Sequence, residues 1–311
     1  MDWSRKTLHK RVCNDQKKIV FIHTLIGVGF MALLTVADYI LMLQVNKTTG
    51  LSGMGTRAIL ETVRTVLQYV GMLLLPFWEL GFAFAALGMA RGQRITTYDL
   101  KEGFRRFWPS LRMMLLRLVL CLAAGLAAAQ ASLITFLYTP LSDKLTELVA
   151  PFSEQGADVR AIFEQIPFGQ IQSAVMPALI LFGVLFIGIL IPVLYRIRFA
   201  EFAIMDTPGT GAFAALLSSN RRMKRNCFKL FRVDLQFWWY YALEVLVTVL
   251  CYGNIILDLA GVALPLSDDG RFFLFYGLYA LCQIVLHSLF RGRVQTTYAA
   301  IYEDLKIKEP V

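Results

Sequence analysis

The stretch that decides the fold class is residues 172–195, which read QSAVMPALILFGVLFIGILIPVLY without one charged side chain. A helix of about 20 apolar residues crosses the roughly 30 Å hydrocarbon core of a bilayer. The stretch is long, continuous and not alternating, so it predicts a transmembrane helix rather than a strand. Five further runs have the same character. The six predicted spans cover about 19–45, 60–90, 110–138, 172–195, 233–257 and 272–290.

The composition of the whole chain agrees with this prediction. Of its 311 residues, 57% are hydrophobic and 17% are charged, whereas soluble domains carry about 25% charged residues. The mean hydropathy is +0.57. A chain embedded in lipid needs this excess because its outer surface is also apolar. We therefore expect a single integral membrane domain over residues 1–311, built as an all-α polytopic bundle.

The distribution of Lys and Arg predicts the orientation of this bundle. Of the 31 Lys and Arg residues, 25 lie in four segments, namely 1–18, 91–117, 196–232 and 291–311. Connections rich in Lys and Arg remain on the cytoplasmic side. Both termini are thus predicted to be cytoplasmic, in a multi-pass protein of the cell membrane. The net charge of +9 is interpreted as a topology signal, and no nucleic acid is expected as a partner.

The longest predicted outer connection, residues 139–169, is acidic. It contains five carboxylates and two basic residues, and its leucines at helical spacing fit a short amphipathic helix. Two interpretations stay open. The segment forms a solvated cap over the helix ends, or it forms a vestibule that collects a substrate.

The inner connection at residues 211–231 is predicted to form one basic amphipathic helix. Its apolar residues follow one helical stripe, and Arg221, Arg222, Arg225 and Lys229 fall off that stripe. Such a helix suits the headgroup layer of an anionic inner leaflet. These four basic residues are therefore the candidate surface for anionic lipid or for a protein partner, although docking under the bundle explains the stripe equally well.

Polar residues inside the predicted spans are the candidates for an intramembrane site, because they are costly in hydrocarbon and face a cavity or a partner. No Lys or Arg is expected at their depth, so the carboxyls would be protonated, hydrogen-bonded or exposed to water in a cavity. Glu79 and Glu244 would then line a proton- or cation-coupled pathway, or act as protonated links between helices. The candidates are Glu79, Glu244, Asp38, Gln130 and Gln283.

The sequence contains none of the motifs GxxxxGK[ST], HExxH and GxSxG, so no catalytic residue is predicted. His9, His23 and His287 lie far apart in sequence and are expected at interfaces, and no metal site or cofactor is predicted. We expect a non-enzymatic membrane protein that binds a membrane-protein partner, another copy of itself or lipid through its inner face. The alternatives are a small transporter or permease that uses Glu79 and Glu244, and a lipid-modifying membrane enzyme.

A weak internal repeat is also visible. Arg91-Gly92 is followed by Thr96-Thr97-Tyr98, and Arg291-Gly292 is followed by Thr296-Thr297-Tyr298. Each pair follows an even-numbered predicted span. Helical hairpins that each end in a cytoplasmic amphipathic helix would explain the pattern, and chance is the alternative.

Three segments resemble a known family. They are GFAFAAL at 81–87 with DLKEGF at 99–104, the stretch 195–238 with DTP, SSNRRMK and DLQFW, and TYAAIYEDL at 297–305. In these segments the chain resembles the bacterial integral membrane proteins of the domain of unknown function 975 family. The resemblance implies a bacterial cytoplasmic membrane. It implies no agreed activity and no catalytic residues.

Overall fold

The computed structural model describes residues 16–48, 54–140, 142–143, 147, 168–259 and 265–307. Within these ranges all regular structure is helical, which confirms the all-α prediction for this part of the chain. The predicted acidic connection at 139–169 lies almost entirely outside the described residues. In chain order the helices are α1 (Lys17–Lys47), α2 (Met54–Ala90), α3 (Glu102–Arg105), α4 (Phe107–Leu137), α5 (Phe168–Ile197), α6 (Ala200–Asp206), α7 (Ala212–Met223), α8 (Cys227–Gln236), α9 (Trp238–Leu250), α10 (Gly253–Leu259), α11 (Asp268–Leu286) and α12 (Gly292–Ile307).

Among the described residues, five helical stretches are long and apolar enough to cross a membrane. They are α1, α2, α4, the stretch Leu179–Asp206 from α5 into α6, and the continuous stretch from α11 through a π turn at His287–Arg291 into α12. The chain is a multi-pass membrane protein by this criterion. The apolar side chains of α4 and α5 point away from the protein, as Leu126 and Ile180 do with 67% and 62% exposure. A bilayer solvates such side chains, whereas water would not.

The predicted span at 233–257 is divided in the structure. Its apolar helix α9 has 13 residues, which is about 20 Å at 1.5 Å per residue and too short for the hydrocarbon core. A turn at Cys251 and Tyr252 separates α9 from α10. At this turn Gly253 packs against the ring of Phe275 so closely that a Cβ atom would overlap it. Close packing of this turn against α11 accounts for the interruption.

The prediction of one continuous helix at 211–231 is wrong, because α7 ends at Met223 and α8 begins at Cys227. Asn226 explains the break. Its side-chain nitrogen donates to the carbonyl of Arg222 at 2.8 Å, and its backbone N–H donates to Met223 at 3.0 Å. Asn side chains that bond local backbone groups compete with the helical ladder in this way.

The buried core lies at one end of the bundle, where α2 and α5 finish and α4 begins. We call this the basic end, because the Lys- and Arg-rich segments 91–117 and 196–232 lie there. Helices α6, α7 and α12 fill it and pack against α2, α4 and α5. Its largest side chains are at most 2% exposed, and they include Phe199, Met205, Met223, Leu230 and Tyr302.

Two glycines allow α3 to lie directly against α2. A Cβ atom at Gly81 would overlap the carbonyl oxygen of Leu100, and one at Gly103 would overlap that of Phe77. Only glycine permits backbones to approach this closely. The contact fixes how the chain leaves α2 and returns into α4.

The two copies of the internal sequence repeat do not share a structure, so the predicted structural repeat is wrong. After Arg91 the chain turns, with Gly92 in the left-handed region at φ +71°, whereas Gly292 continues a helix. Tyr98 is 60% exposed and Tyr298 is 2% exposed. The two stretches therefore share residues but not conformation.

Candidate functional site

A cavity of about 510 Å³, lined by both apolar and ionisable side chains, lies between α1, α2, α9 and α11. Three of the predicted intramembrane residues line it, namely Glu79 from α2, Glu244 from α9 and Gln283 from α11. Glu79 lies eleven residues before the end of α2 at Ala90, about 16 Å along the helix. Residues far apart in sequence thus meet well inside the apolar part of the bundle.

The other two predicted residues lie elsewhere. Asp38 on α1 accepts hydrogen bonds from Arg64 at 2.7 and 3.1 Å and from Gln68 at 2.9 Å. It lines a separate cavity of about 480 Å³ toward the far end of α1 and α2. Gln130 is exposed on α4. Neither of them contributes to the cavity that holds Glu79.

The expectation that no cation reaches these carboxyls is wrong. Arg291 forms an ion pair with Glu79, just as Arg64 pairs with Asp38. Arg291 belongs to the π turn, and its long side chain extends from the helix toward α2 while the guanidinium lies 5.6 Å from the centre of the Phe82 ring. Long basic side chains commonly reach along a helix in this way. Arg291 lies just past the end of the predicted span, so its position in the sequence did not show that its charge reaches Glu79.

His287 is the second site residue that the sequence did not predict. It was expected at an interface, but it lines the cavity with 13% of its side chain exposed. Its Nε2 lies 3.6 Å from Oε1 of Glu244, which is too long for a hydrogen bond. Neither ring nitrogen has a hydrogen-bond partner among the described residues.

His23, also expected at an interface, is buried in the structure. It is 1% exposed, and its ring stacks between Trp78 and Phe82 with centroids 5.0 and 4.3 Å away. It belongs to the packing between α1 and α2, next to the cavity.

A signal for the missed residues was present in the sequence. Gln283, His287 and Arg291 follow one another at intervals of four residues, which places them along one face of a helix. All three line the cavity in the structure. The predicted span ended at residue 290, so Arg291 fell in the tail and this helix face was divided between the two.

Besides the two ring nitrogens of His287, two further polar atoms at the cavity have no partner among the described residues, namely Oε1 of Gln283 and Oγ1 of Thr24. Both side chains are deeply buried, at 6% and 1% exposure. Buried polar groups in proteins are almost always hydrogen-bonded. The cavity is therefore suited to a polar occupant that would satisfy them.

A second polar cluster, at the basic end, is satisfied internally. Asp234 accepts from Arg198 at 2.7 Å and from the hydroxyls of Tyr195 and Tyr298, and the hydroxyls of Tyr298 and Tyr241 lie 2.7 Å apart. These residues come from α5 and the turn that follows it, and from α8, α9 and α12. The cluster joins four helices, and a complete network of this kind stabilises one arrangement.

A third cluster joins the segments that carry the family resemblance. Arg91 forms ion pairs with Asp206 and Glu303, and Lys306 lies 2.6 Å from Asp206. Burial by itself would lower the pKa of Arg91, but the hydrogen bonds to Asp206 and Glu303 outweigh it and raise the pKa. Arg91 therefore holds the end of α2 to α6 and α12.

The predicted basic surface is divided in the structure. Arg221 on α7, Arg225 in the turn and Lys229 on α8 are exposed, whereas Arg222 turns inward and lies 4.7 Å from the centre of the Tyr302 ring. Large apolar side chains share the exposed face. They include Phe213, Leu217, Phe228, Phe231 and Trp238, which are 38–70% exposed.

Comparison with known proteins gives no relative. No family model, no curated protein and no solved structure matches the chain. The resemblance to the domain of unknown function 975 family stays a prediction. The function is therefore inferred from the cavity and surfaces of the chain itself.

Proposed function

We propose that the protein is a small membrane transporter that binds a polar solute in the cavity between α1, α2, α9 and α11. The observation that supports this most is the meeting of Glu79, Glu244, His287 and Arg291 around one cavity. Ionisable residues at such depth are typical of substrate and ion pathways. The volume of about 510 Å³ lies in the range of small-molecule sites, roughly 300–1,000 Å³.

The helix next to the site contains a feature suited to movement. Pro76 lies inside α2, three residues before Glu79. Proline removes one backbone hydrogen bond from a helix and favours a bend there. The π turn at His287–Arg291 lies within the facing helical stretch, and such turns are frequent at functional sites. Bending at these two places would open the cavity to one side or the other.

For the topology we propose six crossings with both termini in the cytoplasm of a bacterial cell. In this arrangement α9 and α10 together form one crossing. It is the fifth in chain order and brings the total to six. With the two-residue turn between them, α9 and α10 span 22 residues, from 238 to 259, about 33 Å at the helical rise of 1.5 Å per residue. The basic end then faces the cytoplasm, as the distribution of Lys and Arg supports.

The experiment that tests the transporter uses Cys251, which lines the cavity. In a variant that retains Cys251 and replaces the other four cysteines with serine, membrane-impermeant thiol reagents are applied to proteoliposomes from each side. A transporter should admit the reagent to Cys251 from the aqueous phase. The matched control retains only Cys282, which neighbours Gln283 on α11 but does not line the cavity, and it should stay unreactive. An unreactive Cys251 would indicate a closed structural bundle.

A second candidate function is binding of anionic lipid at the basic end. We propose that the exposed face of α7 and α8 lies in the headgroup layer of the inner leaflet. Its exposed arginines and large apolar side chains match the two components of such a layer, acidic headgroups and acyl chains. This function needs no catalysis and agrees with the expected binding of lipid through the inner face.

A further inference from the structure

The charges around the cavity do not sum to zero. Glu79 and Arg291 pair and cancel, which leaves Glu244, whose carboxylate has one basic neighbour within 4 Å among the described residues, His287 at 3.6 Å. With a neutral imidazole the four side chains carry a net charge of −1. With a protonated imidazole they carry none. A net charge is costly away from bulk water, so one additional positive charge stabilises this cluster.

His287 has the geometry to carry that charge. A neutral imidazole donates from one nitrogen, and an imidazolium donates from both. Its Nε2 already faces Oε1 of Glu244, and its Nδ1 has no partner among the described residues. A shift of less than 1 Å would close the 3.6 Å gap to the usual N–H···O distance.

The other titratable and charged groups near this pair do not supply the missing charge. Arg291 is already paired, and the ring of His23 is packed between two aromatic rings. The remaining groups are uncharged when protonated or negative when ionised. They are Glu79 of α2, Tyr240 of α9, Cys251 of the following turn, and Tyr276 and Tyr279 of α11.

We propose that Glu244 and His287 form a proton-binding pair and that the proton they bind is coupled to movement of the solute. A proton from water adds to the imidazole nitrogen that faces Glu244, and the resulting N–H donates to the carboxylate. The charge of the cluster changes from −1 to 0. This inference rests on the proposed transporter function, since the proton would neutralise the site before the helices move.

Proton binding can be measured without knowing the solute. The full chain is purified in detergent with His9 replaced by Gln, so that His23 and His287 are the remaining histidines. Infrared difference spectra between about pH 6, near the ordinary histidine midpoint, and pH 9 then report imidazolium and its carboxylate neighbour. We expect one imidazolium signal that His287→Gln removes. Glu244→Gln should reduce that signal at fixed pH, because it removes the negative neighbour that favours the imidazolium.

The Gln130→Glu variant serves as a control, since it adds a carboxyl on the exposed face of α4 away from the pair, and it should leave the imidazolium signal unchanged. A spectrum that is the same in wild type, His287→Gln and Glu244→Gln would overturn the proposal. If His287→Gln fails to fold, Glu244→Gln still tests the proposal. A reduced imidazolium signal in that variant supports the pair, and an unchanged signal contradicts it.

A second measurement separates protons from other cations. Proteoliposomes that contain a pH-sensitive dye are given a membrane potential, with either a pH gradient or a sodium gradient. Proton entry that His287→Gln abolishes shows that the pair carries protons across the membrane. Dependence on sodium alone would show that a metal cation supplies the charge, and the proton proposal would then fail. Thiol access to Cys251 would persist in that case, so failure of the proton proposal is distinguishable from failure of the transporter proposal.

Discussion

Arg291 and Glu79 illustrate how a single contact changes the interpretation of a residue. Glu79 in isolation would be protonated in hydrocarbon, and Gln would then replace it with little effect. Because the structure pairs Glu79 with Arg291, the carboxylate is instead the counter-ion of a guanidinium whose side chain is 18% exposed. The residue is therefore charged for a structural reason, whatever it also does for the solute.

The first prediction follows from this pair. Glu79→Gln should destabilise the protein by about 3 kcal/mol, the lower end of the range for a broken buried pair, because the Glu79 side chain is 34% exposed. Thermal unfolding in detergent measures the change. Adding Arg291→Gln to this variant should recover part of the loss, as in a double-mutant cycle. A Glu79→Gln protein as stable as wild type would indicate a protonated Glu79 instead.

The second prediction concerns the contact between α2 and α3. Gly103→Ala should destabilise the protein by about 3 kcal/mol or more, because its Cβ would overlap the backbone of Phe77. Gly29→Ala is the matched control, since a Cβ there meets no atom of the described residues within 4 Å. The yield of monodisperse protein after detergent extraction compares the two. Equal yields would show that α3 can move away from α2.

At the scale of elements, the sequence predicts what depends on neighbours along the chain. Long apolar runs predicted α1, α2, α4, α5 and α11, since each is an uninterrupted helical stretch. The break of the fifth predicted span could not be predicted, because it depends on the close packing of Gly253 and Phe275. The pairing of Glu79 with Arg291 joins residues 212 positions apart. Hydrophobic periodicity shows which residues share one face of a helix. It does not show which other helix packs against that face.

The third prediction concerns the exposed face of α7 and α8. Arg221→Gln with Arg225→Gln should weaken retention of anionic lipid by about 2 kcal/mol, near 30-fold, at about 1 kcal/mol for each basic residue near an anionic surface. Native mass spectrometry with mixed anionic and zwitterionic lipids measures the preference. Arg57→Gln, at the opposite end of α2, serves as the control and should change nothing. An unchanged preference in the double variant would contradict lipid binding at this face.

At the scale of the whole molecule, the proposed topology gives the fourth prediction. A single cysteine at position 155 should react with an impermeant reagent only from outside the cell, and Arg221→Cys only from inside. The physical reason is that Lys- and Arg-rich segments stay in the cytoplasm. Labelling of intact cells and of inverted vesicles distinguishes the sides. The reverse pattern at either position would exclude an arrangement with both termini in the cytoplasm.

The position of the buried core has a consequence for biosynthesis. Tyr298 and Tyr302 of α12 complete the core at the basic end, and Glu303 completes the ion pairs of Arg91. During translation α12 is made after all the helices that it packs against. Until α12 emerges from the ribosome, Arg91 therefore lacks Glu303, and Asp206 lacks Lys306 and the hydroxyl of Tyr302. Closure of the core is a post-insertion step, and a cellular quality-control protease would recognise chains in which it has not occurred.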